Sequence, residues 1–273
     1  MEARRWLEGI SFPAERPLIN GSQAAPVDPP VEPLRRAIAE AALSDDTAHL
    51  YGPVLGLPDL RAALASEVSA LYRGAVAPEQ VAITAGCNEA FAAAISTLAA
   101  PGDEVILPTP WYFNHKMWLD MAGIKAVPLR TGPDLVPRLA DAEALITAKT
   151  RAIVLVTPNN PGGVEYPAEL LAGFYDLAKA HGIALIVDET YRDFDSRPSA
   201  YFAYVEHPYA EEAEALCKRM VGEIGVLALP GSMFMPARDQ AGTQQIRIAF
   251  ANIDVDEISE LFQRLSSLSG TRR

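Results

Sequence analysis

Cysteine is nearly missing from this sequence: Cys87 and Cys217 are the only two in 273 residues. Two thiols so far apart make neither a disulfide framework nor a zinc-ligand spacing, and no metal site is expected. Basic charge is also short. The chain has 23 Lys and Arg against 35 Asp and Glu, a net charge of −12, and no basic tract. Nucleic acid and anionic membrane surfaces are therefore poor partners. No apolar run has the roughly 20 residues of a membrane-spanning helix. The N-terminus, MEARRWLEGISF, has arginines but no apolar h-region, so a secretory signal is not expected. Neither Gly-x-Gly-x-x-Gly nor Gly-x-x-x-x-Gly-Lys-Ser/Thr occurs, which ranks an unrelated nucleotide-binding protein last. No internal repeat and no low-complexity tract is present. What remains is a chain that is 49% apolar and long enough for one large domain or two modest ones. A cytoplasmic globular protein is the default expectation.

The first thirty or so residues are proline-rich and irregular, an arm rather than a core element. PVEPLRRAIAEAAL then reads as a short helix. LPDLRAALASEVSALYRG reads as an amphipathic helix with Leu60, Leu64, Val68 and Leu71 on one face and Gly74 as its stop. From there the texture is αβ. QVAITAG, DEVILPTP, IKAVPL, TRAIVLV and IALIVDET read as strands. CNEAFAAAISTLA, FNHKMWLDMAG and PAELLAGFYDLAKAHG read as helices, the last with Leu170, Leu171, Phe174 and Leu177 inward. Apolar strands alternating with helices imply a mostly parallel sheet, in which ligands bind at the carboxyl ends of strands. After Ser199 the style changes to short strands in YFAYVEHP, IGVLALPG and QQIRIAFA, with the helix AEEAEALCKRMV between the first two. A last helix, DVDEISELFQRLSSL, has a capping box at Asp254 and Glu257 and a stripe of Ile258, Leu261, Phe262 and Leu265. This reads as a smaller α+β domain.

Four short motifs carry chemistry. TAGCNEA joins a strand to a helix: Gly86 permits a tight turn, and Cys87 and Asn88 offer amides at a helix N-terminus. The plainer reading is an ordinary βα turn. TPNNPGG closes a buried strand as a turn whose Asn160 can meet a ligand oxygen. VDETY puts Asp188 at a strand end, where a buried carboxylate must find a partner or neutralise. IRIAF puts Arg247 inside an apolar strand, where an arginine normally holds a carboxylate.

In this order and spacing these motifs resemble the class I/II pyridoxal-phosphate aminotransferases of fold type I. The resemblance runs from HLYGPVLGLPDLRAALA to PGSMFM and QQIRIAFAN. It implies a fold type I α/β architecture, a cofactor, pyridoxal 5′-phosphate, and a role for each residue. Gly86, Cys87 and Asn88 would hold the cofactor phosphate. Tyr112 would stack on the pyridine ring, with Trp111 as the alternative one residue away. Asn160 and Tyr191 would bond the ring hydroxyl, and Asp188 would pair with the ring nitrogen and keep it protonated. Arg247 would clamp a substrate α-carboxylate. Tyr51 would reach the cofactor phosphate of a partner subunit, since family sites lie at a dimer interface. Ala24 stands where many members have a glycine. Substrates would be an amino acid and a 2-oxo acid, the assembly a homodimer, and the setting amino-acid metabolism in the cytoplasm.

The family also needs a lysine, which carries the cofactor as a Schiff base and shuttles the proton. Its Ser-x-Ser-Lys-like turn does not occur here. Lys116, Lys125, Lys149, Lys179 and Lys218 all read as solvated surface residues. LIVDETYRDFDSRPSAYFAYVEHP shows why: a strand runs through a polar, Pro-broken turn straight into another strand-like run, with no crossover helix. The join falls near 197–200, after about Pro198. The lysine strand, the next strand and the connection to the small domain are missing, on the order of a hundred residues at roughly 30 per strand–helix unit. The two lost strands belong between VAIT and LIVDET, so the sheet is expected to split or re-pair and leave unpaired edges. The expected layout is an arm with part of the small domain (1–45), a large domain lacking central strands (46–198) and a small domain (199–273). The expected function is that of an aminotransferase by lineage, inactive as written. A non-catalytic remnant that binds or dimerises, or a defective deletion product, is the alternative.

Overall fold

The computed structural model describes residues 2–25, 28–193, 201–237 and 239–272. The join expected near 197–200 lies outside the described residues. The chain divides into two units, Asp28–Ala94 and the remainder, Met1–Val27 with Ile95–Arg273. The first part of the chain forms β1 (Ile19–Asn20), α1 (Glu32–Ser44), α2 (Pro58–Tyr72) and α3 (Cys87–Leu98). The αβ region follows with β2 (Glu104–Thr109), α4 (Phe113–Met121), β3 (Lys125–Arg130), α5 (Leu139–Leu145), β4 (Thr150–Val156), α6 (Ala168–His181) and β5 (Ala184–Asp188). The rest is β6 (Phe202–Glu206), α7 (Ala213–Ile224), β7 (Val226–Leu227), β8 (Leu229–Pro230), β9 (Gln245–Ala249) and α8 (Val255–Ser267).

In the larger unit, β2 to β5 form a four-stranded sheet in the order β3-β2-β4-β5, every pair parallel. The expected α/β architecture with a parallel sheet is therefore present. β2 is buried along its whole length and β4 at every position but Arg151, as continuous apolar runs flanked on both sides require. Ile106, Leu129, Ile153 and Leu155 pack with Phe174 of α6, and Leu170, Leu171 and Leu177 flank them. α6 stops because Gly182 takes a left-handed φ of 65° and returns its N–H to Ala178 and Lys179. The short helix α5 had no clear signal in the sequence.

The same unit holds an antiparallel sheet, β6-β9-β8, and a parallel pair of β1 with β7. Its core gathers Leu216, Cys217 and Met220 of α7, Ile246 and Ile248 of β9, and Leu261 of α8. The capping box of α8 is formed as expected: Asp254 accepts the Glu257 N–H at 2.8 Å, and Glu257 accepts the Asp254 N–H at 3.0 Å. Phe262 departs from the expected stripe and is exposed, while Leu261 and Arg264 are buried. A 3.6-residue period leaves room for only part of a four-residue stripe at the seam.

The unit Asp28–Ala94 corrects three expectations. Its helices form where the sequence places them, but α1 buries nothing and α2 buries only Ala65, so Leu60, Leu64 and Leu71 stand exposed. The residue that turns left-handed at the end of α2 is Arg73, φ 51°, with Gly74 next to it bonding back to Ser69. The VAIT run, residues 81–84, is not a strand. Arg61 takes the Val81 carbonyl through Nε at 2.8 Å and the Ile83 N–H goes to Leu55, so this backbone is committed locally instead of to a ladder.

Candidate active site

The C-terminal ends of the parallel strands converge the expected polar residues. After β4, the turn TPNNPGG is braced by Asn159. Its side-chain Oδ1 accepts the Gly162 N–H at 2.9 Å, its Nδ2 donates to the Tyr166 hydroxyl at 3.2 Å, and Thr157 Oγ1 accepts the Tyr166 N–H at 2.8 Å. That bracing fixes Asn160, itself buried. The Asn160 amide donates to the Tyr191 hydroxyl over a long 3.5 Å, and its oxygen accepts from Arg247 Nη1 at 3.1 Å. Tyr191 stands edge-on to Phe202, ring centroids 5.4 Å apart. Burial pushes its hydroxyl up to about 12, so it is a neutral donor at physiological pH.

Asp188 ends β5. One carboxylate oxygen accepts from Thr190 twice, from its N–H at 3.0 Å and its hydroxyl at 2.6 Å, and the other lies 3.1 Å from His115 Nε2. Burial alone raises the carboxyl's pKa. The bonds from His115 and Thr190 more than offset this and leave it below the ordinary aspartate range, so Asp188 is a carboxylate. His115 comes from α4 and packs edge-on against Tyr112, centroids 5.0 Å apart. Tyr112 in turn receives a 2.7 Å bond from Asn114. Trp111 is buried, its main-chain N–H on the Phe234 carbonyl and the Lys116 ammonium over its ring. Of the two aromatic candidates, Tyr112 is therefore the one beside Asp188's partner.

His115 was missed by the sequence reading. TPWYFNH draws the eye to its aromatic residues, and nothing in it says which distant strand end the histidine faces.

Arg247 is 3% exposed on β9. Its guanidinium bonds Asn160 and the Ser22 carbonyl and lies 4.8 and 5.1 Å from the rings of Phe202 and Phe234. Nε has no hydrogen-bond partner, and no carboxylate is paired with it among the described residues. Burial lowers its pKa to about 10, so it still carries a proton at neutral pH. A buried, charged guanidinium with a spare donor is suited to an incoming carboxylate.

The remaining expected residues lie in the unit Asp28–Ala94 and are described there alone. Gly86 has φ +86°, a conformation glycine alone adopts freely, and α3 begins directly after it with Cys87 and Asn88 exposed. The Ala85 N–H bonds the Glu89 carboxylate, which sets a negative charge beside this helix start. Tyr51 is fully exposed.

No lysine joins the site. Lys116 bonds Asp120 on α4, Lys125 bonds Glu104 at 2.8 Å, Lys218 bonds Glu214 at 2.6 Å, Lys179 lies over the Tyr175 ring, and Lys149 is exposed in a turn. Among the described residues no cluster of His, Cys, Asp and Glu is placed to hold a metal ion, and no helix is long and apolar enough to cross a membrane.

Pyridoxal phosphate fits the ring side of this arrangement. Asp188 has spent three of its roughly four lone-pair sites and keeps one for a protonated ring nitrogen. Asn160 and Tyr191 sit together as polar partners for a ring hydroxyl, and Arg247 Nε is an orphaned buried donor. In the unit Asp28–Ala94, taken by itself, the Gly86 turn carries the Glu89 carboxylate on the Ala85 N–H and is less suited to a phosphate.

The family model described as aminotransferase class I and II matches residues 19–200. The aspartate/prephenate aminotransferase of Thermus thermophilus is 34% identical over 162 residues, 59% of this chain and 40% of that protein. The aspartate aminotransferase of Thermotoga maritima is 34% identical over 143 residues, 52% of this chain and 38% of that one. A probable N-succinyldiaminopimelate aminotransferase of Mycobacterium tuberculosis is 36% identical over 145 residues, 52% and 36%. The chain thus spans about two fifths of the length of the curated relatives it matches. Among solved structures, the Thermotoga maritima aspartate aminotransferase superposes with a TM-score of 0.81 at 19% identity, covering 97% of this chain and 94% of that chain. An aminotransferase from Mycobacterium tuberculosis gives 0.83 at 20% identity, covering 97% and 94%. At that identity the structural likeness speaks for the fold alone, which is the fold type I architecture expected from the sequence.

Proposed function

Because this chain belongs to the class I and II aminotransferases, we propose that it retains their ring-binding site for pyridoxal phosphate but, in this form, binds the cofactor without covalent attachment and does not transfer amino groups. The observation that carries the reading is the pairing of a ready carboxylate site at Asp188 with the placement of all five lysines elsewhere. Asp188 would hold the ring nitrogen protonated, oriented by His115 and Thr190. Tyr112 would cover a face of the ring, and Asn160 and Tyr191 would hold its hydroxyl. Gly86, Cys87 and Asn88 would offer amides to the phosphate, and Tyr51 would serve a partner subunit in a homodimer. Arg247 would bind the α-carboxylate of an amino acid or 2-oxo acid. When bound, the cofactor supplies an electron sink for bonds at an amino acid's α-carbon. No lysine amine stands at Asp188 to accept or return the α-proton, so general-base assistance, worth about 10²–10⁴-fold, is lost along with the covalent anchor. We place the protein in the cytoplasm on the same reading.

A second reading, a remnant that binds no cofactor, is favoured by Glu89, whose carboxylate would repel a phosphate at the start of α3. Titration with pyridoxal phosphate separates the two. Saturable binding that Asp188→Ala weakens by about tenfold or more supports retained docking. Borohydride treatment followed by intact-mass measurement should then show no adduct that depends on Asp188, and labelled amino acid should not pass its amino group to a 2-oxo acid. An Asp188-dependent covalent adduct or measurable transfer overturns the proposal. Absence of binding selects the remnant.

A further inference from the structure

A cavity of about 530 Å³ lies between the carboxyl ends of β2 and β3 and one face of the β6-β9-β8 sheet. That volume is within the range of small-molecule sites. None of Tyr112, His115, Asn160, Asp188, Tyr191 and Arg247 lines it, so it is separate from the candidate active site. Strand register builds its two walls. Thr109 and Arg130 are partners at the ends of β2 and β3. Glu206 of β6 stands opposite Gln245 of β9, and Tyr204 shares their face two residues earlier.

The walls carry opposite charges with unused bonding capacity. Arg130 gives Nη2 to Asp239 Oδ2 at 2.6 Å, and the other Asp239 oxygen takes the Ala241 N–H at 3.0 Å. The aspartate thus holds the guanidinium at one corner, and Nε and Nη1 of Arg130 bond no described residue. On the other wall Glu206 is exposed, and its carboxylate makes no hydrogen bond or ion pair with a described residue. The two line one cavity yet form no salt bridge with each other, which leaves a gap between them. Beside Glu206, the Tyr204 hydroxyl reaches only the Gly231 carbonyl, over a long 3.5 Å, and can turn to a ligand. The Thr131 hydroxyl is already spent on the Thr109 carbonyl at 2.8 Å. Pro110, Pro133, Leu135 and Met235 supply an apolar surface. Leu135 holds a left-handed φ of 57°, which is uncommon for a bulky residue and of the kind found at ligand sites.

We propose that this cavity binds a free amino acid with an apolar side chain, at a site additional to that of Arg247. Glu206 accepts from the ammonium, Arg130 donates to the carboxylate, and Pro110, Pro133, Leu135 and Met235 cover the side chain. A 2-oxo acid meets Arg130 but puts no ammonium on Glu206. An amine meets Glu206 but leaves the spare donors of Arg130 unused. Only a molecule carrying both charges satisfies both walls. Bound there, it bridges the parallel sheet and the antiparallel one. The inference does not depend on cofactor binding or on the role of Arg247.

Nuclear magnetic resonance on the whole chain with isotope-labelled methionine methyl groups tests this. Met235 borders the cavity, and Met235→Leu identifies its signal. L-Leucine should move that signal saturably. The 2-oxo acid of leucine and isoamylamine, which lack the ammonium and the carboxylate respectively, should each need about tenfold or more higher concentration. Glu206→Gln should raise the midpoint for L-leucine by about tenfold or more. Glu206 is exposed on β6, an edge strand, so this variant should keep its fold. The three ligands compared on the wild type decide the matter even if it does not. A Met235 signal that L-leucine leaves in place, an unchanged midpoint in folded Glu206→Gln, or either analogue equal to L-leucine would each overturn the proposal.

Discussion

His115 Nε2 stands 3.1 Å from Asp188 Oδ2, and both side chains are nearly out of water, 2% and 9% exposed. The pair joins the helix after β2 to the end of β5 and keeps ionised the residue on which the proposed cofactor docking rests. A buried carboxylate without such partners would rise in pKa and neutralise.

Stability should record this pairing. Asp188 titrates below its ordinary value of 3.8 in the folded chain. Its stabilisation is therefore present above that value and lost as pH falls through the lower, folded one. Asp188→Asn should cost about 2 kcal/mol at neutral pH. Urea midpoints of wild type and variant should then converge as pH drops below about 4. A gap that is the same at pH 3 and pH 7 would mean that Asp188 gains nothing from ionising.

Arg247 should respond to small carboxylates. Pyruvate at ten times its dissociation constant should stabilise the wild type by about 1.4 kcal/mol through mass action. Arg247→Met should abolish that shift, because Met offers no donor to the acid. An equal shift in the variant would place the acid at another site.

Gly231 opens the turn Gly231–Phe234, which packs on the turn Gln240–Gln244 that leads into β9 and Arg247. A Cβ on Gly231 would come within 2.7 Å of the Gly242 carbonyl and 2.8 Å of the Gln245 carbonyl. Backbone cannot rotate aside as a side chain can. Gly231→Ala should therefore destabilise by about 1–3 kcal/mol in denaturant melts, and a neutral result would show that the two turns separate freely.

The exposed stripe of α2 gives the opposite expectation. Leu60 and Leu71 are 50% and 52% exposed. Replacing both with Glu should change stability by less than about 0.5 kcal/mol per site. It should also reduce binding of an apolar dye. A loss of several kcal/mol would mean that this face is covered in solution.

Much of the site was legible because its parts are local. TPNNPGG announces a turn through its own Pro, Asn and Gly, and VDETY places a carboxylate at a strand end. IRIAF marks an arginine inside an apolar run. Asn160, Asp188, Tyr191 and Arg247 accordingly come together, with Tyr112 nearby. His115 was not legible, because an isolated histidine in a helix pattern says nothing about which distant strand end it faces. VAIT and IALIV show the same limit in strands. Both have the composition of buried strands, yet one forms no ladder and the other becomes an edge. A strand is completed by a neighbour far away in the chain, and composition does not say whether that neighbour exists.

The sequence by itself determined most of the order of helices and strands, the cap of α8 and the stop of α6, the chemistry at the strand ends and the lack of a lysine near them. Each depends on side-chain period, turn residues or the mere presence of a residue type. Only the tertiary structure decided that His115 serves Asp188, that Arg247 is buried with no carboxylate paired to it among the described residues, and that β3 and β5 end the order of the four-stranded sheet. Those outcomes depend on which backbone lies beside which, and hydrogen bonding and burial are satisfied between elements rather than within them.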